Sequence, residues 1–259
     1  MAMELKIALI QTSLVWENPE QNRMNLENLI SDISAETDVI VLPEMFTTGF
    51  TMNPQNIGHS DGDKTLSWMK TIAQKRGMAI LGSIAYYDQS EYTNRLFFVD
   101  GDENPVYYDK RHTFTLAGED KVYRAGKAKL IVKYKGFKLC PMICYDLRFP
   151  VWARNTVDYD ALIYVANWPK PRINAWDTLL KARAIENMAY CVGVNRIGED
   201  VNGYEYSGHS AAYDCLGKQL CFSEKEAVLY ATLNREHIIK TRQKLNFLGD
   251  RDTFSLAIQ

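Results

Sequence analysis

Phe137-Lys138-Leu139-Cys140-Pro141-Met142-Ile143-Cys144-Tyr145-Asp146-Leu147-Arg148-Phe149-Pro150 is the stretch that decides how this chain is read. The apolar run up to Cys144 reads as a buried strand, and Tyr145 to Pro150 reads as a tight turn into a helix. A thiol at that junction stands where a helix N-terminus lowers its pKa and frees it as a nucleophile. Two more polar groups stand at comparable strand ends. Glu44 follows Val39-Ile40-Val41-Leu42-Pro43, and Lys110 follows Val106-Tyr107-Tyr108-Asp109.

Outward from these strings, strands and helices alternate. Lys6 to Gln11 reads as a strand. Asn18 then caps a helix with Pro19 at its first position and Met24, Leu26, Leu29, Ile30 and Ile33 on one apolar face. Asp38 to Leu42 is a fully apolar strand of the kind covered on both faces. A second helix spans roughly Lys64 to Arg76, with Leu66, Met69, Ile72 and Ala73 inward and Gly77 as its stop. Met78 to Ser83, Arg95 to Val99 and Val106 to Tyr108 read as strands, the last two joined by Asp100-Gly101-Asp102-Glu103-Asn104. Leu130 to Tyr134 pairs with Phe137 to Cys144 across Lys135-Gly136. Further strands are expected at 161–166, 191–195, 209–213 and 227–233, and helices at 174–190 and 235–242. Thr47 to Asp63, rich in glycine and directly after Glu44, reads as a loop bordering a site. The pattern is α/β, with central sheets and helices outside.

The chain has 259 residues, 46% of them hydrophobic, which suffices for one large domain spanning 1–259. Its net charge is −2 with the signs interspersed, which gives neither a nucleic-acid stripe nor an acidic arm. Five scattered cysteines suggest a reduced, intracellular protein rather than a disulfide framework. Met1 to Lys6 lacks a hydrophobic signal core, and no apolar run approaches the ~20 residues of a membrane span. The cytoplasm is the expected location.

Taken singly, the three polar groups have plain readings. A cysteine ending an apolar strand is usually a small core residue; Glu44 suits a solvated loop, and Lys110 suits a charged turn. Together they are a thiol, a carboxylate and an ammonium, the residue types that split a carbon–nitrogen bond. The thiolate attacks and forms a thioester, the carboxylate shuttles the proton, and the ammonium with a backbone N–H, that of Tyr145, holds the oxyanion.

The three strings occur in the order found in the nitrilase superfamily of carbon–nitrogen hydrolases, and this chain resembles that family from Ile7 to about Asn234. Asn167-Trp168-Pro169-Lys170-Pro171-Arg172 and Arg183-Ala184-Ile185-Glu186-Asn187 look like further family segments. The resemblance is nearest to ω-amidases acting on 2-oxoglutaramate, 2-oxosuccinamate and similar short monoamides. It implies a four-layer αββα sandwich, usually paired into homodimers. It implies Glu44 as general base, Lys110 as oxyanion stabiliser and Cys144 as nucleophile. It also implies a second glutamate, Glu119, positioning Lys110, with Asp120 competing for that role. No cofactor or metal is implied. An N-carbamyl amide hydrolase, a short aliphatic nitrilase and a non-catalytic scaffold of the same shape are the alternatives.

A substrate carboxylate calls for an arginine fork. Arg148 and Arg172 both lie just past strand ends. Arg148 also reads as a structural partner of an acid near the Cys144 turn, and Arg172 as a solvated loop residue. Phe46, Phe114, Tyr145 and Trp168 either wall a pocket or pack the core. Cys140, four residues before Cys144, would face the same side of the strand. Glu186 is expected to be buried and bonded to the catalytic loops. The charged tail from about 240 to 259 is expected to dock on a partner subunit through Phe247-Leu248 and Phe254-Ser255-Leu256-Ala257-Ile258.

Overall fold

In the computed structural model, residues 3–101 and 104–257 are described. Met1, Ala2, Asp102, Glu103 and Ile258, which the readings above mention, lie outside the described residues.

The chain opens with β1 (Glu4–Gln11), α1 (Pro19–Ser31), β2 (Val39–Val41), α2 (Asp61–Arg76), β3 (Ala79–Asp88), β4 (Glu91–Val99) and β5 (Val106–Asp109). It continues with β6 (Val132–Tyr134), β7 (Phe137–Ile143), α3 (Pro150–Ala153), β8 (Ala161–Ala166), α4 (Ile173–Asn187), β9 (Tyr190–Asn195), β10 (Ile197–Glu199) and β11 (Glu205–Ser207). β12 (Ser210–Tyr213), β13 (Gln219–Ser223), β14 (Ala227–Asn234) and α5 (Arg235–Leu245) complete it.

Two six-stranded sheets result, in the orders β14-β1-β2-β3-β4-β5 and β13-β12-β9-β8-β7-β6. Each has three parallel strands at its heart, β1-β2-β3 and β7-β8-β9, flanked by antiparallel neighbours. Strand alternation assigns the faces. Leu5, Ile7, Leu9, Val39, Val41, Leu81, Leu96 and Phe98 pack into the large core they share with the second sheet. Ala8, Ile10, Ile40, Leu42, Ile80, Phe97 and Val99 pack instead against Leu26, Ile30, Met69 and Ile72 of α1 and α2. On the second sheet, α4 sits so close that a Cβ on Gly193 would stand 2.4 Å from Leu180 Cδ1. The architecture is the expected α/β four-layer αββα sandwich.

Asn18 caps α1 through its side chain, 3.1 Å from Gln21 N, with Pro19 following as expected. Gly77 ends α2 in the left-handed region at φ 65°. Three readings change. Met24 is 56% exposed, because Asn22, bonded to Val15 and Thr47, takes the buried position on that turn of α1. β3 and β4 extend into a hairpin through Gln89 and Ser90, both at positive φ, so the pair is far longer than the apolar runs suggested. α5 runs to Leu245, so the irregular tail starts later than 240. That tail lies along its own chain: Arg251 bonds Asp158 at 2.7 Å and Asn155 O at 3.0 Å. Among the described residues no helix is long and apolar enough to cross a membrane.

Candidate active site

Glu44, Lys110, Glu119 and Cys144, singled out from sequence, meet at one end of the sandwich. Glu44 follows β2 and Lys110 follows β5, at the same end of the first sheet; Cys144 follows β7 and Asn167 follows β8 in the second. Lys110 Nζ lies 2.8 Å from Glu44 Oε1, and 3.0 and 2.8 Å from the two oxygens of Glu119. All three are fully or nearly fully buried. Glu119 also accepts a bond from Phe114 N at 2.5 Å. Asp120, its competitor, is exposed. The other oxygen of Glu44, Oε2, accepts from Asn167 N at 2.8 Å, and Asn167 Nδ2 donates to the Glu44 carbonyl at 2.5 Å.

Cys144 opens a five-residue 3-10 turn, Cys144–Arg148, and has φ 42°, a conformation that strains any side chain with a Cβ. Buried Asp146 clamps this turn. It accepts from Ile143 N at 3.1 Å, Tyr108 Oη at 2.7 Å and His112 N at 3.0 Å, and lies 2.7 Å from His112 Nδ1. Arg183 Nη2 of α4 donates to Leu147 O at 2.6 Å and pairs through Nη1 with Glu186 at 2.8 Å. Glu186 is thus exposed rather than buried: the buried partner of the Cys144 turn is Arg183, and Glu186 orients it from outside.

The electrostatics correct one expectation. The Cys144 thiol is pushed well above its ordinary pKa, first by burial and then by the Glu44 carboxylate, with Lys110 only partly opposing. A five-residue turn is too short to supply the macrodipole that the sequence suggested. For Lys110, burial works against the charge, but Glu119 and Glu44 outweigh it and the pKa is raised. Burial likewise raises Glu119, against the pull of Lys110.

Cys144 and Lys110 open onto a cavity of about 250 Å³, walled by Phe50, Phe114, Tyr145 and Trp168. Arg148 and Arg172 line it too. The Arg148 guanidinium lies 4.9 Å from the Trp168 ring centre and that of Arg172 lies 5.1 Å from Phe114. Neither arginine has a carboxylate partner among the described residues, so the expected acid beside Arg148 is missing and both cations face the cavity. Phe46 does not wall the cavity; it packs under α2 against Trp68. Phe50, from the Thr47–Asp63 segment, stands there instead, and Tyr123 Oη holds that segment by a 2.8 Å bond to Thr51 O. Cys140 is sealed in the core with its thiol pushed up to about 12 by burial. The strand ends at Ile143 and the chain turns at Cys144, which breaks the alternation that would have aligned the two thiols. Among the described residues no cluster of His, Cys, Asp or Glu could hold a metal ion.

Sequence reasoning missed Asn94, whose Nδ2 donates to Glu44 Oε1 at 2.8 Å and to Glu119 Oε1 at 3.0 Å. A polar residue two and four positions before inward-facing Leu96 and Phe98 was the available signal.

A carboxylate–ammonium–carboxylate chain and a thiol thus stand together at one cavity. The sequence also matches the carbon-nitrogen hydrolase family model over residues 6–243. The chain belongs to the carbon-nitrogen hydrolase family. This hydrolase is 42% identical to the ω-amidase YafV of Yersinia enterocolitica over 97% of its own length and 98% of that protein. It is 32% identical to the 2-oxoglutaramate amidase of Bacillus subtilis, over 96% and 98% of the two chains. Its fold superposes with a TM-score of 0.95 on a CN-hydrolase superfamily protein of Xanthomonas campestris, 38% identical, with coverage of 99% and 100%. That structure carries an arsenic adduct in its active site.

Proposed function

We propose that this amidase hydrolyses the terminal amide of a small carboxylate, 2-oxoglutaramate or 2-oxosuccinamate, to the acid and ammonia. The observation that carries the reading is the meeting of Glu44, Lys110, Glu119 and Cys144 beside a cavity that two unpaired arginines also line. The ω-amidase and 2-oxoglutaramate amidase relatives support the substrate class.

The cycle runs in two halves. Cys144 Sγ attacks the amide carbon while its proton passes to Glu44, whose Oε2 accepts the Asn167 N–H and has a second lone pair to receive it. The carbonyl oxygen becomes an oxyanion held by Lys110 Nζ and by the Tyr145 N–H, which belongs to the first turn of a helix and has no intrahelical partner. Glu44 returns the proton to nitrogen, the C–N bond breaks, and ammonia leaves a Cys144 thioester. Water then enters, Glu44 takes its proton, and the oxygen attacks the thioester. Collapse releases the acid and restores the thiol. Glu119 holds Lys110 in position throughout. The far carboxylate is read by Arg172, with Arg148 beside it and Trp168 and Phe114 supporting the two cations.

The test is ammonia release from a panel of small amides, carbamylated amines and nitriles, with intact-mass detection of acylated Cys144. The expected result is turnover of 2-oxoglutaramate that Cys144→Ala abolishes without loss of fold. Preferred turnover of a carbamylated amine or a nitrile would transfer the reading to those chemistries. Unchanged turnover in Cys144→Ala would end it. We further read residues 1–259 as one catalytic unit working as a cytoplasmic homodimer without a cofactor. Sedimentation at catalytic concentration tests the dimer.

A further inference from the structure

We infer that Asn94 is a positioning residue of this site, holding Glu44 and Glu119 at a fixed separation. The inference rests on the reading of Glu44 as the base.

Asn94 lies on β4, on the face packed against the second sheet, and is 1% exposed. Its Nδ2 carries two protons and gives one to Glu44 Oε1 at 2.8 Å and the other to Glu119 Oε1 at 3.0 Å. Its backbone carbonyl accepts the Lys110 N–H at 3.0 Å, one step beyond the β4–β5 ladder. One residue therefore fixes three members of the site relative to one strand: two through the side chain and one through the backbone. Only the NH₂ end of the amide can face two carboxylates, since the carbonyl end would repel both.

Charge explains why an amide stands there. Two buried carboxylates around one ammonium repel each other across a short gap. A second cation would satisfy them but would also tie up Glu44 as a base. Asn94 supplies two donors and no charge. It fills the remaining acceptor site of Glu44 Oε1, already bonded to Lys110, and so leaves Oε2 to receive the thiol proton. The cost is visible at the other end of the same side chain. Asn94 Oδ1 is buried and accepts no hydrogen bond among the described residues. A buried unpaired carbonyl is unfavourable, and an apolar residue of the same shape would avoid it. Fold stability alone does not favour asparagine at this position; the two donors do.

The other titratable groups facing the carboxylates are Lys110, Cys144, Tyr123 and Tyr206. All remain in the variants below, so the comparison isolates the donor pair. Without it, both carboxylates lose a hydrogen bond that favours their charged form.

The experiment uses full-length Asn94→Ala and Asn94→Asp. One readout is the pH profile of kcat/KM with 2-oxoglutaramate, per titrated Cys144. The other is the pH dependence of Cys144 alkylation by iodoacetamide, followed by intact mass, which needs no substrate. In Asn94→Ala, kcat is expected to fall roughly tenfold or more with KM little changed. The acid limbs of both profiles are expected to move up by about one pH unit. In Asn94→Asp, which keeps the shape and adds a third carboxylate, the limbs move further. Limbs that stay in place, with lost activity matching only lost folded protein, would overturn the inference. If Asn94→Ala fails to fold, Asn94→Asp decides by the same criterion. Glu44→Gln separates the two levels. Parental activity in Glu44→Gln removes the base reading itself. An inactive Glu44→Gln beside an unshifted Asn94→Asp removes only the role of Asn94.

Discussion

Cys144 keeps its proton in the resting enzyme. Burial and the neighbouring Glu44 hold the thiol well above its usual range, so on the proposed mechanism the nucleophile is generated only as Glu44 takes the proton during attack. The difference in absorbance at 240 nm between the parent and Cys144→Ala is therefore expected to show no thiolate step from about pH 6 to about pH 9. A step near neutrality would mean a preformed thiolate–ammonium pair. Lys110→Ala removes the cation between two buried carboxylates. It is expected to cost about 3–5 kcal/mol of stability in chemical denaturation, and separately to lower turnover on the scale of a lost oxyanion contact, about 3 kcal/mol. Arg172→Ala is expected to raise KM at least tenfold, about 1.4 kcal/mol, for 2-oxoglutaramate while leaving a neutral aliphatic amide unaffected. Equal effects on both substrates would assign Arg172 to the wall and not to the carboxylate.

Among the elements, the β7 strand and the turn after it were the most legible, because an apolar run stopped by Cys-Tyr-Asp-Leu-Arg-Phe-Pro admits few readings. Its clamp was not legible: Asp146 is 38 and 34 residues from Tyr108 and His112, and a buried aspartate in a turn looks like an ordinary turn residue. Asp146→Ala is expected to cost about 3 kcal/mol, since it strands several buried donors, and to lower kcat with it; calorimetry and turnover check the pair. The β3–β4 hairpin was hidden for another reason. Its turn is Gln89-Ser90, both at positive φ, and neither residue signals a hairpin as Asn-Gly does. Asn94 was lost with it, because an asparagine in a half-polar strand reads as a loop until the pairing with Ala85 is known. Gly126 shows how tightly the Lys110 end is held. Its N–H bonds Lys110 O at 2.8 Å, and a Cβ there would stand 2.1 Å from Asp109 O. Gly126→Ala is expected to displace this strand end, and a lower melting temperature with reduced kcat is the expected result.

At the scale of the molecule, the sequence carried the α/β class in its alternation of elements, and the resemblance carried the layer order. Neither carried the near-repeat between the sheets, each with three parallel strands in its centre and an antiparallel flank. The groups of the candidate site are divided across that seam: Glu44, Asn94 and Lys110 come from one sheet, and Cys144 and Asn167 from the other. The first sheet is also assembled out of chain order, since β14 pairs along the whole of β1, from Glu4 with Asn234 to Gln11 with Ala227. During synthesis, then, β1 emerges from the ribosome with one edge bare, and it stays bare until Ala227–Asn234 has followed more than 200 residues later. Ammonia-forming capacity should arrive abruptly, when the final strand is free to seal that edge, and not in proportion to nascent length.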